Sequence, residues 1–147
     1  MRIKWNNIPI PEGHVIPLIL GIFAQESIPI PLDIVEWLRY ALGVLFTLAG
    51  IILAALSVHE VSAIEVEAPT ELITTGPYAI SRNPMYVAWS LIYIGTIFFV
   101  DTKWLLLLFS FVLAYTHYRV ILREEGELEE LFGNEYREYC KQVRRYF

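Results

Sequence analysis

Residues 84–122 read PMYVAWSLIYIGTIFFVDTKWLLLLFSFVLAYTHYRVIL, and only Asp101-Thr102-Lys103 separates two long apolar runs in this stretch. Each run, 84–100 and 104–122, approaches the roughly twenty residues that a helix needs to cross a bilayer. Two helices joined by so short a link lie side by side and antiparallel. The stretch therefore predicts a helical hairpin. In it, the start of the first helix and the end of the second share one membrane face.

The segment that leads into the hairpin is polar and carries two conformational signals. Gly76-Pro77 predicts a turn, and Asn83-Pro84 predicts a helix start with asparagine as N-cap and proline at the first helical position. The first turn of that helix exposes backbone N–H groups beside Arg82, which suits a carboxylate or a phosphate. Taken alone, the segment favours a simpler interpretation, a capped membrane helix whose arginine reaches toward the lipid headgroups.

The composition indicates a single integral membrane domain, residues 1–147. With 56% hydrophobic and only 18% charged residues, the sequence is too apolar for an ordinary soluble domain. The net charge of -5 argues against a nucleic-acid partner, because no basic stripe is present to offset phosphate charge. Cys140 is the only cysteine, and His14, His59 and His117 are too scattered to form a metal signature, so no metal site is predicted.

The N-terminal helices, within residues 14–58, contribute one or two further spans. Residues 34–58 form a sufficiently long apolar run, and Asp33 is the expected N-cap of that helix. Residues 14–30 are long enough to cross the bilayer, but Pro17 and the polar far end leave open whether they span or enter partway. The basic start resembles a secretory signal, which the proline and the missing cleavage site argue against. The expected fold is all-α, with three to four transmembrane helices.

The distribution of charge orients the protein in the membrane. Both hairpin ends and the polar loop 59–75 open on one face, which carries most of the basic residues: Arg82, Arg119, Arg123, Lys141, Arg144 and Arg145. The positive-inside rule makes this face cytoplasmic, at the plasma membrane of a prokaryote or the endoplasmic reticulum of a eukaryote. If residues 14–30 span, Arg2 and Lys4 also lie on the cytoplasmic side.

The residues after the hairpin predict a short amphipathic cytoplasmic tail. Gly133 ends one helical pattern, and Asn134 is the expected cap of a further helix. The apolar residues of that helix fall on one side: Tyr136, Tyr139, Cys140, Val143 and Phe147. Two placements fit equally well, the membrane surface and a face of the protein itself.

The hairpin and the loop gather polar side chains of both charge signs at one membrane surface. They come from residues 59–147 and are His59, Tyr78, Arg82, Asn83, Tyr86, Glu124 and Glu125. Paired carboxylates that face a basic helix start suit a zwitterionic ligand. A ligand that reacts with a lipid-borne group would account for the position of the site at the membrane.

Several motifs in the second half of the chain have a specific order and spacing: Gly76-Pro77-Tyr78, Ser81-Arg82-Asn83-Pro84-Met85-Tyr86, Arg123-Glu124-Glu125, and Leu131-Phe132-Gly133-Asn134-Glu135-Tyr136 with Tyr139. Together they resemble the isoprenylcysteine carboxyl methyltransferase family and its phospholipid N-methyltransferase relatives. The resemblance covers residues 69–147. It implies a helical membrane enzyme that binds S-adenosylmethionine at the cytoplasmic face and methylates a lipid-like or hydrophobic acceptor.

The resemblance assigns roles to individual residues. It places Arg82, Pro84 and Tyr86 in the cofactor site. Glu124 and Glu125 close that site, and with Arg82 they are the expected catalytic residues. Where better-known members have histidine this chain has asparagine, Asn83, which can donate a hydrogen bond to a carboxylate but cannot act as a base.

The chemistry of S-adenosylmethionine agrees with these positions. Its carboxylate suits the helix start and Arg82, and its ribose hydroxyls and ammonium suit Glu124 or Glu125. Its sulfonium suits the ring face of Tyr78 or Tyr86. Methyl transfer requires mainly orientation and exclusion of water. A carboxylate acceptor needs no general base, whereas an amine, thiol or hydroxyl needs one, for which the candidates are Glu124, Glu125 and His59.

Two other functions remain open. Membrane steroid and sterol reductases have a similar Arg-x-Pro-x-Tyr and Phe-Gly-x-x-Tyr arrangement and bind NADPH, although the short chain and the Glu124-Glu125 pair favour methyl transfer. The third hypothesis is a non-catalytic membrane scaffold, with Asn83 as its main argument. The sequence identifies neither the acceptor molecule nor the oligomeric state.

Overall fold

The computed structural model describes residues 12–62 and 70–147, and the regular elements in these ranges are helices. They are α1 (Glu12–Ser27), α2 (Glu36–Val61), a 3₁₀ turn (Gly76–Ala79), α3 (Pro84–Val100), α4 (Lys103–Tyr115), a π-helical turn (Thr116–Ile121), α5 (Leu122–Phe132) and α6 (Asn134–Gln142). The expected all-α class is confirmed for the described residues. Arg2, Lys4 and residues 63–69 of the predicted loop lie outside these ranges.

α2 and α3 pack antiparallel at close range because glycines line their contact. A Cβ added at Gly50 in α2 would lie 2.7 Å from the carbonyl oxygen of Ala88 in α3, and one added at Gly43 would meet the ring of Phe99. Small residues at such positions let helix backbones approach closely, as in membrane helix pairs. The contact places the start of α3 beside the end of α2.

α1 packs antiparallel against α4. A Cβ added at Gly21 would meet Leu105 near the start of α4, and one added at Gly13 would meet Tyr115 at its end. α1 contains Pro17 and ends at Ser27, three residues before the end of the predicted segment 14–30. Between the helices lies a core of fully buried side chains: Tyr93, Ile97, Leu105 and Val112.

Two helices in the described part of the chain are long and apolar enough to cross a membrane, Glu36–Val61 and the continuous helix Lys103–Phe132. α3 is also apolar but shorter, with 17 residues. Large apolar side chains of these helices point outward, among them Leu45 and Phe111, which are each more than half exposed. Such an apolar surface indicates contact with lipid and hence a membrane protein.

Of the three predicted helix caps, Asp33 and Asn134 are wrong, and Asn83 is confirmed in position. Asp33 does not cap α2, because its backbone is left-handed, with a φ of 61°, and its carboxylate pairs with Lys103 Nζ at 2.6 Å. Asn83 occupies the N-cap position of α3, but its side chain makes no capping hydrogen bond. Asn134 is the first residue of α6, and Gly133 takes the N-cap position.

The helix α6 folds back onto the protein. Its Tyr136 and Tyr139, together with Val143, form a buried cluster. The partly buried residues packed against this cluster come from the loop and from α5 and α6: Leu72, Leu128, Phe132 and Cys140. Of the two placements expected for the tail, the structure therefore has the one on the protein itself.

Candidate functional site

The start of α3 and the polar end of the long helix meet at one end of the bundle. Arg82 precedes α3, and Glu125 lies in α5, beyond the apolar part of that helix. The Nη2 atom of Arg82 lies 3.1 Å from Oε1 of Glu125, and the two side chains are only 11% and 12% exposed. Because a buried charge is costly unless it is paired, this contact is a fixed part of the site.

A second arginine, Arg145, holds the other side of Glu125. Its Nε and Nη2 atoms lie 3.1 and 2.8 Å from Glu125 Oε2, and Nε also lies 3.0 Å from Oε1. The hydrogen bond to Glu125 raises the pKa of Arg145 above its ordinary value. Glu125 thus lies between two guanidinium groups, and its oxygens are committed to them.

Asn83 belongs to the same network. Its Nδ2 atom donates to Glu125 Oε1 and to the backbone carbonyl of Arg145, both at 3.3 Å. Its backbone N–H donates to Ser81 Oγ at 3.2 Å. The amide nitrogen therefore binds a carboxylate of the protein and fixes the orientation of the side chain, whose oxygen does not accept a capping hydrogen bond from α3. Pro84 follows, buried at the first position of the helix.

The adjacent carboxylate, Glu124, has a different environment. The Tyr86 hydroxyl donates a hydrogen bond to Glu124 Oε1 at 2.6 Å. Burial, together with the charges of Glu124 and Glu60, raises the pKa of Tyr78 to about 12, so this phenol is neutral at physiological pH. Within residues 12–62 and 70–147, no lysine or arginine forms an ion pair with Glu124. A carboxylate among phenol rings attracts cations.

The backbone around Tyr78 is anchored from two sides. Tyr139 in α6 donates a hydrogen bond from its hydroxyl to the backbone carbonyl of Tyr78 at 2.6 Å. Thr75, just before the 3₁₀ turn, donates to Glu60 Oε2 of α2 at 2.7 Å. Gly76 has a φ of +56°, and a Cβ there would meet the Glu60 side chain, so both the backbone and the space favour glycine. The turn is therefore fixed between α2 and α6.

The π-helical turn Thr116–Ile121 directly precedes α5, which carries the acid pair. A π turn widens the helix and shifts the residues that follow around its axis. Thr116 and Ile121 are both buried, so the turn is packed into the bundle. Its position determines which way Glu124 and Glu125 face.

The structure places most of the predicted site residues together, namely Tyr78, Arg82, Asn83, Pro84, Tyr86, Glu124 and Glu125. His59 differs from them. It lies in the last turn of α2 and is exposed. In the described part of the chain its imidazole forms no hydrogen bond, ion pair or ring contact with the site residues. The neighbouring Glu60 is the residue of α2 that reaches the site.

The sequence analysis missed the part that Arg145, Glu60 and Tyr139 play. From the sequence, Arg145 was counted only as a charge that orients the protein in the membrane, and Tyr139 only as a motif position and as part of the apolar side of the tail helix. The one signal for Arg145 was its place in a basic and aromatic run, Arg144-Arg145-Tyr146-Phe147. That signal gives no partner, because the contact with Glu125 spans 20 residues of sequence.

A comparison with protein families identifies the class. The family model of phospholipid methyltransferases matches residues 38–135. The chain belongs to this family. The match confirms the resemblance found in the sequence and, with the two long apolar helices, indicates a membrane methyltransferase. No curated protein and no solved structure matches the chain. α1 and Arg145 lie outside the matched residues.

Proposed function

We propose that this protein transfers a methyl group from S-adenosylmethionine to a lipid-borne or otherwise hydrophobic acceptor at the membrane surface. The environment of Glu124 carries the proposal. This carboxylate forms no ion pair among the described residues, accepts a hydrogen bond from Tyr86, and lies near Tyr78 at the polar end of an apolar helix. Membership of a methyltransferase family supports the class of reaction.

The residues around Glu124 match the cationic part of S-adenosylmethionine. Carboxylates and aromatic ring faces both stabilise ammonium and sulfonium groups, and Glu124, Glu60, Tyr78 and Tyr86 supply both kinds of contact. The free N–H groups in the first turn of α3 suit the carboxylate of the same molecule. Arg82, which the sequence also assigned to that carboxylate, is paired with Glu125, and in this proposal it holds the wall of the site.

Bound S-adenosylmethionine supplies an electrophilic methyl group, and the residues of this chain orient it and exclude water. An amine or thiol acceptor must lose a proton, and Glu124 is the residue we expect to accept it. Glu125 is less suited because two guanidinium groups hold it, and His59 is exposed. A carboxylate acceptor requires no base, because the methyl group joins an oxygen that is already anionic.

The pairing of the arginines favours S-adenosylmethionine over NADPH. NADPH carries three phosphate groups, and phosphates are bound mainly by arginine and lysine side chains or by helix N-termini. The two arginines of this site, Arg82 and Arg145, are both engaged by Glu125. A reductase would have to break these contacts, whereas Glu124 is already free to bind a cation.

The proposal is tested by equilibrium binding to the purified protein in detergent. We expect radiolabelled S-adenosylmethionine to bind and NADPH not to bind. Glu124→Gln should weaken binding, and Lys103→Ala at the opposite end of the bundle serves as the matched control. Binding of NADPH alone would support a reductase, and binding of neither would support a scaffold; either result contradicts the proposal.

We also propose that the site faces the cytoplasm, as the positive-inside rule indicates. Phe147 is 71% exposed beside the site, so it suits a reporter cysteine. In a Phe147→Cys variant that also carries Cys140→Ser, a membrane-impermeant thiol reagent should label intact cells weakly and opened membranes strongly. Equal labelling of both would place the site on the outer face.

A further inference from the structure

We propose that residues 143–147, called the strap below, form one wall of the cofactor site through their backbone and the side chain of Arg145, and that docking of the strap and binding of cofactor favour each other. Arg145 is then a positioning residue that acts through Glu125. The inference rests on the proposed function for the identity of the cofactor. It concerns residues beyond the part of the chain that matches the methyltransferase family, which ends at 135.

The strap is attached to the segment before α3 through backbone atoms. The N–H of Arg82 donates to the carbonyl of Arg144 at 3.0 Å, and the two segments form a parallel bridge between Ser81 and Arg144. The next carbonyl, that of Arg145, accepts from Ser81 Oγ and from Asn83 Nδ2, both at 3.3 Å. Three consecutive residues of the motif before α3 thus depend on the strap.

The side chain of Arg145 connects the strap to α5. It makes three contacts of 2.8 to 3.1 Å with Glu125, while Arg82 contacts the same carboxylate from another side. The Glu125 side chain is only 12% exposed, so the carboxylate relies on these partners for its stability. If the Arg145 side chain is removed, one guanidinium remains for Glu125, and the helix that also carries Glu124 loses its contact with the strap.

Two further contacts extend the docked region. The hydroxyl of Tyr146 lies 2.6 Å from Nδ1 of His117, in the π-helical turn that precedes the acid pair. Val143 is buried with Tyr136 and Tyr139, and Tyr139 donates to the Tyr78 backbone. The strap and α6 therefore contact both sides of the proposed site, the Tyr78 side and the Glu125 side. A ligand that binds between these sides favours the docked state over the released one.

The geometry points to an indirect role for Arg145. Its Nε and Nη2 atoms are used on Glu125, and its side chain is 34% exposed, compared with 11% for Arg82. Arg144 offers a matched control, because its side chain is exposed and only its backbone carbonyl is used. The side chains of these two adjacent arginines carry the same charge, and only that of Arg145 contacts Glu125.

The protein contains its own reporter of docking. Cys140 is the only cysteine in the chain and is partly buried against the α6 cluster. Release of the strap and α6 exposes its thiol, so the rate of alkylation by a maleimide measures the released population. The two equilibria are linked, so if docking raises the affinity for the cofactor, bound cofactor must equally favour docking. Bound cofactor must therefore slow the alkylation of Cys140.

The experiment measures two quantities on the full-length protein in detergent, the affinity for S-adenosylmethionine and the alkylation rate of Cys140. Arg145→Ala should lower the affinity about tenfold, within the usual range of coupling between sites, and should raise the alkylation rate. Arg145→Lys should recover part of both effects, because lysine keeps the charge but not the paired hydrogen bonds. Arg144→Ala should change neither quantity, and S-adenosylmethionine should slow alkylation of the wild type.

A double-mutant cycle separates the positioning role from direct contact. If Arg145 acts through Glu125, then Arg145→Ala should have little further effect on affinity in a Glu125→Ala background. Additive losses would mean that Arg145 binds the cofactor itself, and unchanged affinity with faster alkylation would mean a purely structural strap; both overturn the inference. If the wild type binds no S-adenosylmethionine, the proposed function fails. The alkylation rates of the Arg145 and Arg144 variants still test docking alone.

Discussion

The two ends of the helical bundle use the same kind of contact for different purposes. At the end opposite the site, Arg39 Nη1 donates to the carbonyls of Phe98 and Phe99 at 3.0 Å, and its Nε lies 3.8 Å from Asp101. This arginine satisfies the last turn of α3, where helix carbonyls have no partner within the helix. At the site end, Arg82 lies just before the start of the same helix. It pairs instead with the buried carboxylate of Glu125 in α5.

The two ends differ in which of their carboxylates have a basic partner. At the opposite end, the carboxylates of Asp33 and Asp101 each have a basic partner, and Asp101 also accepts a hydrogen bond from the N–H of Leu32. At the site end, one of two adjacent carboxylates is held by two arginines, while Glu124 is hydrogen-bonded only by Tyr86 among the described residues. The two aspartates that close the helices at the opposite end are thus both paired, whereas at the site end the half-buried carboxylate of Glu124 has no ion pair in the described part of the chain.

The largest expected effect follows from removing Arg82. Arg82→Ala leaves Glu125 buried with one guanidinium fewer, and losing one member of a buried pair typically costs about 3 to 5 kcal/mol. We expect a loss of that order in the free energy of unfolding and a loss of S-adenosylmethionine affinity of at least 100-fold. Denaturant titration and equilibrium binding measure the two quantities. Loss of stability with intact affinity would contradict the position of the site.

Glu124→Gln should separate binding from stability. Glutamine still accepts the hydrogen bond from Tyr86 but carries no charge, and hydrogen bonds that involve a charged group contribute about 1.5 to 3 kcal/mol. We therefore expect affinity for S-adenosylmethionine to fall about 10- to 100-fold, with the midpoint of thermal unfolding unchanged or raised. Glu125→Gln should instead lower the midpoint. If both variants changed the affinity and the midpoint of unfolding alike, the two carboxylates would not have the different roles proposed here.

Arg39→Ala tests the opposite end and should change stability alone. Its side chain is only 12% exposed and binds two carbonyls of α3, so we expect a loss of about 1 to 2 kcal/mol in the free energy of unfolding. The affinity for S-adenosylmethionine should remain within about twofold of the wild type, since α3 is long and its start is held separately. A tenfold change in affinity would show that the two ends do not act independently.

The smallest effect is expected for Lys103→Ala. The Lys103 and Asp33 side chains are 46% and 72% exposed, and exposed ion pairs contribute about 0.2 to 1 kcal/mol. The backbone N–H of Lys103 still donates to the carbonyl of Ile30 in this variant. Both stability and affinity should therefore stay close to wild type, with the remaining stability difference reduced at high salt. A large loss of stability would mean that this pair is not a surface contact.

The sequence predicted the helices well because they follow from local pattern. The apolar runs on either side of Asp101-Thr102-Lys103 became α3 and α4, and Pro84 begins α3 as its fixed φ favours. The partners of polar side chains were harder to predict. Asn83 fits the local pattern of an N-cap, but a carboxylate 42 residues away competes successfully for its amide. Local sequence propensity does not describe a contact with a residue so far along the chain.

The site was predictable only in part for the same reason. The hairpin alone brings Arg82 near the Glu124-Glu125 pair, so these residues could be grouped from helix lengths. Which glutamate pairs with arginine depends on rotation about the helix axis, and this rotation is set by a π turn that has no clear sequence signature. Arg145 reaches Glu125 only after α6 has folded back, which no local pattern specifies.

The π turn Thr116–Ile121 also makes the length of the long helix critical. Each residue of an α-helix advances the chain by about 100° around its axis, and the π turn accommodates about one extra residue, so regular α-helical winding of the same sequence would swing both acids by about that angle. The helix would remain equally apolar and nearly as long, and it would still fit the bilayer. Its register against Arg82 and Tyr86 would nevertheless be lost, so the winding of this turn, and not only the residues of the helix, determines the site.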